Sequence, residues 1–194
     1  MVKRMGRTTE TQSGQALVEF ALVLPVFLLL IFGVVEFGFL YNAAVTVNFV
    51  SRVAALLAAE GGRTEGTDCM VLRAIERDMI SPTISSRIST VEIYWSDANG
   101  DQVASSANVY TRTGSLTCTY ASGSITVPYT LSTDLYPEAQ RCDVLAGCGG
   151  SHATVDDVGV RITYTHQWVT RFGQTIAGSI TFQRSTAVRM EPTL

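Results

Sequence analysis

Residues 14–38 read GQALVEFALVLPVFLLLIFGVVEFG, and their reading decides the fold. Gly14 stands one residue before an apolar run, and a single acid, Glu19, follows five residues after it. Upstream lie Lys3, Arg4 and Arg7 among small polar residues; downstream, Phe20 to Val35 is uncharged and almost wholly apolar. A secretory signal places its small-residue cleavage site after the apolar stretch, so a cut at Gly14 keeps that stretch on the mature chain. The mature chain then begins with a membrane helix.

Glu19 needs an explanation in such a helix. A carboxylate near the bilayer centre costs about 2.5 to 3.5 kcal/mol on insertion scales, and intramembrane acids usually have a partner or a function. A cut after Gly14 makes Gln15 the N-terminus, with an α-amino group of pKa roughly 7.7 to 8.0 that is largely charged at neutral pH. Positions 15 and 19 stand at i and i+4, on one helix face. The ammonium and carboxylate can pair within one chain, or Glu19 can pair with a neighbour's N-terminus. The plainer reading puts Glu19 in the headgroup layer at the end of a simple anchor.

These residues resemble the N-terminus of TadE-like proteins, the minor pilins or pseudopilins of the tight-adherence (Flp-type, type IVb) pilus system. The resemblance implies a cut after Gly14 by a dedicated prepilin peptidase, with Glu19 and Phe20 at the fifth and sixth mature positions. It extends more weakly to Ala59 and returns in ITFQRSTAVRMEP (180–192), whereas residues 64–157 carry no matching motif. It further implies a pilin-like fold, and partnership with that peptidase, with other pilins and with pilus assembly platform proteins. The expected location is the bacterial cytoplasmic membrane, then the pilus or cell surface.

Composition is consistent with an exported, membrane-anchored chain. Of 194 residues, 46% are hydrophobic and 16% charged, with a mean hydropathy of +0.22; soluble domains usually carry about 25% charge. The net charge is -3, and the basic leader makes the remainder more acidic still. No clustered basic face signals nucleic acid. Lys3, Arg4 and Arg7 precede the run closely while Arg52 is the nearest basic residue after it, so the N-terminus is expected in the cytoplasm. Ala16 to Val35 as a helix covers about 30 Å, enough to cross a hydrocarbon core. The expected organisation is a leader at 1–14, a transmembrane helix at 15–40, its amphipathic extension at 41–60 and an exported domain at 61–194.

Val45, Phe49, Val53, Leu56 and Leu57 recur at helical spacing and predict the buried face of that extension, which ends near Ala59 before Gly61-Gly62. Pro25 predicts a kink or local loosening. A second helix is expected from Asp68 to about Met79, capped by Thr67. Beyond Pro82 the period changes to two. Val91, Ile93 and Trp95 lead through Asp97-Ala98-Asn99-Gly100-Asp101 into a hairpin. Ser124 to Leu131 reads as one extended segment at a sheet edge, because of Pro128. Val158 to Trp168 and Ile176 to Met190 read as antiparallel neighbours, with a long loop at 132–157 before them. The fold class is α+β, a long N-terminal helix packed on a small antiparallel β-sheet domain.

Cys69, Cys118, Cys142 and Cys148 all lie beyond the span, where an even count favours disulfides. Four cysteines allow three pairings. The preferred one joins Cys142 to Cys148 across a short loop and Cys69 to Cys118 between the second helix and the sheet. A metal site from Cys142, Cys148 and His152 matches no standard zinc spacing. The 97–101 stretch fails the calcium-loop pattern, with Gln102 and Asn108 at positions six and twelve. Asp156-Asp157 reads as a solvated loop end, and His166 as a hydrogen-bonded core residue. No spacing suggests a nucleophile with a base, so no enzyme and no cofactor or metal are expected. Two functions remain, a minor pilin cut after Gly14 and a single-pass anchored binding module that never enters a filament.

Overall fold

The computed structural model describes residues 12–120, 123–148, 152–170, 173–175 and 178–191. The leader residues Lys3, Arg4, Arg7 and Glu10 lie outside these, as do Phe172 and Ile176. One helix, α1, runs unbroken over Gln12–Gly61, 50 residues, straight through Pro25 and past Gly38 to Asn42. Helix α2 (Thr67–Asp78) follows, then β1 (Ile88–Ser96), β2 (Gln102–Thr111), β3 (Leu116–Tyr120), β4 (Gly123–Val127), β5 (Thr130–Asp134), β6 (Asp157–Gln167) and β7 (Ser179–Arg189). Five strands form one antiparallel sheet in the order β5-β2-β1-β6-β7, and β3-β4 make a separate two-stranded sheet. The α+β architecture is a long helix whose C-terminal half lies on α2, β6 and β7.

Of the face that periodicity marks, Leu57 packs against the core and Val53 is half-buried, but the fully buried face is another. Ala43, Val47, Val50, Ala54 and Ala58 are buried against the domain, whereas Val45 is half exposed, Phe49 59% and Leu56 50% exposed. The small residues let the helix backbone approach the sheet closely, and the large ones are left outside. Opposite them, Val91, Ile93, Val160, Ile162 and Tyr164 fill the inner side of the sheet, with Val71, Leu72 and Ile75 of α2 closing the core.

The predicted hairpin is β1-β2, joined at Asp97 to Asp101, where Asp97 Oδ1 accepts from Asn99 N at 2.8 Å and Asp101 N at 2.9 Å. Those amides, the Asp101 one foremost, hold the Asp97 carboxyl below its usual range. β6 and β7 pair antiparallel along their whole length. Gly159 in β6 is dictated by a close approach: a Cβ there would lie 2.2 Å from the Tyr94 ring, which covers it.

Two expectations are corrected by long-range contacts. Ser124 to Leu131 is split at Pro128, β4 pairing with β3 while β5 forms the far edge of the main sheet. Proline offers no N–H to a ladder, so the chain changes sheets there. The cap of α2 is not Thr67, whose hydroxyl donates backward to Thr64 O at 2.7 Å. Gly66, with φ of 86°, occupies the cap position. The Glu138 carboxylate, brought from 70 residues away, accepts from Gly66 N at 2.8 Å and Asp68 N at 2.7 Å. Burial foremost and the nearby Asp68 push the Glu138 carboxyl above its usual range.

Candidate functional site: the outward face of the long helix

Gly14 and Gln15 occupy the first turns of α1 and are exposed. A Cβ built on Gly14 meets nothing within 4 Å, so the fold itself makes no demand for glycine there. Gln15 Nε2 donates to Glu19 Oε1 at 3.1 Å, the i to i+4 approach expected from their spacing, made here by the side-chain amide. Phe20 is exposed beside them, and the large apolar side chains from Leu17 to Val35 are mostly or partly exposed as well. The apolar face does not end with the span. Phe37, Tyr41, Val45, Phe49 and Leu56 continue it on one side of the helix, with the exposed Arg52 as a single charge among them, while the alanine side faces the domain.

The second acid of the helix is treated differently. Glu36 is 5% exposed, and its carboxylate accepts from Val169 N at 2.9 Å and from Thr170 N. These residues follow Trp168 just after β6, so one side chain ties that end of the sheet to the helix. Phe37 packs edge-on against Trp168, 6.1 Å between ring centres, and Trp168 in turn against His166 at 5.5 Å. His166 is buried, yet neither ring nitrogen has a hydrogen-bond partner among the described residues. The expected hydrogen-bonded core histidine is therefore a neutral apolar neighbour; burial foremost, and then Arg87, hold its pKa below the usual value.

At the other end of the domain the cysteines are joined as Cys69–Cys118 and Cys142–Cys148. The short loop is further held by Arg63, whose N–H donates to Asp143 Oδ2 at 3.0 Å and whose guanidinium donates to Ala139 O at 3.0 Å. With both sulfurs bridged, Cys142 and Cys148 are not metal ligands. His152 Nδ1 lies 2.7 Å from the Asp156 carboxylate, and its ring stacks on Trp95 at 4.3 Å. Asp156 is not a solvated loop end: it is buried and accepts from Tyr136 Oη at 2.9 Å and Cys142 N at 3.0 Å. Asp157 is half-buried and opens β6.

Sequence reasoning missed the polar centre of the domain. Arg141, fully buried, sits with Nη1 2.7 Å from Asp68 Oδ1, and the same carboxylate accepts from Tyr110 Oη at 2.7 Å and Asn108 Nδ2 at 3.0 Å. Asn108, Tyr110 and Arg141 stand 40 to 73 positions from Asp68, with no local pattern to announce them. They join α2, β2 and the 135–148 segment into one unit. Nothing in this network opens toward the apolar face of α1.

The described residues thus form one exposed apolar helix, long enough to cross a membrane, that carries a small antiparallel domain on its far half. Residues 14–56 match the family model for TadE-like proteins; over that segment the chain is similar to them, which together with the apolar helix supports a pilin-like, Tad-associated protein. No curated protein and no solved structure matches the chain.

Proposed function

We propose that this chain is a minor pilin or pseudopilin of a tight-adherence pilus, cut after Gly14 by a prepilin peptidase and then packed by its helix among other pilins. Anchoring in the bacterial cytoplasmic membrane with the domain outside precedes that step, and the role is structural rather than catalytic. The observation that carries the reading is the outward face of α1. The domain covers only the alanine side, and the large residues from Leu17 to Leu56 form one apolar face that serves lipid over its first half. Over the second half the same face requires a partner once the subunit leaves the membrane.

The charges support the same assignment. Lys3 is the sole lysine of the chain. After removal of residues 1–14, the α-amino group of Gln15 is the only primary amine left, one helical turn from Glu19. Apolar packing drives assembly, and with Glu19 paired to the N-terminus of a neighbour a misaligned subunit leaves the charge unpaired, which sets axial register.

Intact-mass measurement of the protein from its native membrane tests the cut. Loss of residues 1–14 is expected, and Gly14→Leu should abolish it without disturbing the fold, since that position is open space. A mature chain that retains Met1 would overturn the reading and leave the anchored binding module.

A further inference from the structure

The apolar span read from the sequence ends at Val35, and about 1.5 Å per residue places Phe37 to Ala44 about 3 to 13 Å beyond it. Headgroup layers occupy roughly the first 5 to 8 Å on each side of the hydrocarbon. At that height α1 and β7 enclose an apolar groove with one charged side chain in its lining. Phe37, Leu40, Tyr41 and Ala44 of α1 and Phe182 and Arg184 of β7 line a groove of about 450 Å³. Tyr41 is 73% exposed, and so is much of Phe37. The Arg184 guanidinium lies 5.6 Å over the Phe182 ring and donates to the adjacent Gln183 O at 3.1 Å. Among the described residues no carboxylate pairs with it. Beside the groove, Val169 is 60% exposed on the segment whose amides Glu36 holds.

We infer that this groove seats one glycerophospholipid of the leaflet on the domain's side, its phosphate on Arg184 and the start of an acyl chain along Phe37, Leu40, Tyr41 and Phe182. The groove is continuous with the apolar surface of the helix, so a lipid beside the helix reaches it without crossing water. A guanidinium offers a planar pair of donors to a phosphate, and aromatic rings settle at the headgroup level. The Glu36 clamp fixes the domain at this height, so the same lipid contact also sets the tilt of the domain over the membrane. The inference rests on the membrane-anchored part of the function proposed above and not on filament entry.

Native mass spectrometry of the full chain in detergent, titrated with phosphatidylglycerol, tests it. One retained lipid per chain is expected, lowered at least about fivefold by Arg184→Glu or Arg184→Gln, the weight of one arginine at a lipid surface. Arg189→Glu, on the same strand outside the groove, should leave retention unchanged. Equal retention by the Arg184 variants, or of a galactosyl diacylglycerol that lacks phosphate, would overturn the seat. A photo-crosslinking residue at Tyr41 should give lipid adducts in membranes; a chain-to-chain adduct instead assigns the groove to a protein. Lost lipid with a correctly cut N-terminus counts against the groove alone. An uncut chain that still retains lipid counts against the pilin reading alone.

Discussion

The two sides of α1 differ in side-chain size, in cover and in the way each treats its acid. The inward side offers Ala43, Val47, Val50, Ala54 and Ala58, fully covered by the domain, and its acid Glu36 is met by two backbone N–H groups. The outward side offers Phe20, Tyr41, Phe49 and Leu56, and its acid Glu19 meets one side-chain amide at the surface. One side is finished within the chain and the other is left for something else. An apolar surface of that length on a single subunit is an interaction surface, and the finished side shows what such a surface looks like once its partner is in place.

The sharpest way to break this contrast is to undo the finished acid. Glu36→Ala strips two part-buried amides of their acceptor, and unmet buried groups cost about 1 to 3 kcal/mol each. A loss of about 3 kcal/mol is expected in the thermal unfolding of the full chain in detergent. Glu36→Gln keeps one acceptor and should lose less. If Glu36→Ala unfolds with the wild type, the clamp does not hold the domain on the helix.

Next in size is a change on the inward side that adds bulk. Ala54 is fully buried, and Ala54→Leu forces extra methylenes against the sheet, at a cost of about 1 to 3 kcal/mol. An outward Leu56→Ala should change stability by no more than about 0.5 kcal/mol. Comparing the two by chemical denaturation measures how asymmetric the helix is. Equal effects would mean that the outward side is also packed within the subunit.

A smaller effect is read by pH. His166 has its pKa lowered by burial, so the unfolded chain binds the proton more readily than the folded one. The stability that neutral His166 contributes is present above the ordinary histidine pKa of about 6.5 and is lost as pH falls through and below it. His166→Leu should flatten the acid side of the stability profile relative to wild type. An unchanged difference between the two chains from pH 7.5 to pH 5 would remove His166 from the acid response.

The sequence announced those features that one segment decides for itself. Helix α1 and its glycine stop, the Asn99-Gly100 turn and the β6-β7 pair each follow from a local period or a local breaker. What escaped required two distant segments. Periodicity shows an apolar stripe but not which stripe the domain covers, and here the smaller side chains won because they admit the closest approach of helix and sheet. Glu138 capping α2, Arg141 pairing with Asp68 and the Glu36 clamp likewise join residues 70 or more positions apart. The candidate site at Gly14, Gln15, Glu19 and Phe20 is a reading of about two helical turns of sequence, of which the structure shows the Gln15–Glu19 contact. The outward place of Val45, Phe49 and Leu56 was not legible, because their helical spacing fits a core-facing stripe equally well.

The smallest effect on the subunit should accompany the largest on its assembly. Glu19 is exposed, and its partner among the described residues is the Gln15 amide, so Glu19→Ala is expected to shift unfolding by no more than about 0.5 kcal/mol. Phe49→Ala, also on the outward side, should do the same. Neither removes a contact that the domain uses. On the proposed function both remove something that only a neighbour would miss, the first a charge for a neighbour's new N-terminus and the second an apolar side chain for another helix. Cleavage and membrane insertion should therefore proceed in both variants while piliation and co-purification with other pilins fall. Normal piliation in Glu19→Ala cells would leave the register role without support, and normal piliation in Phe49→Ala cells would return the outward face beyond the membrane to solvent.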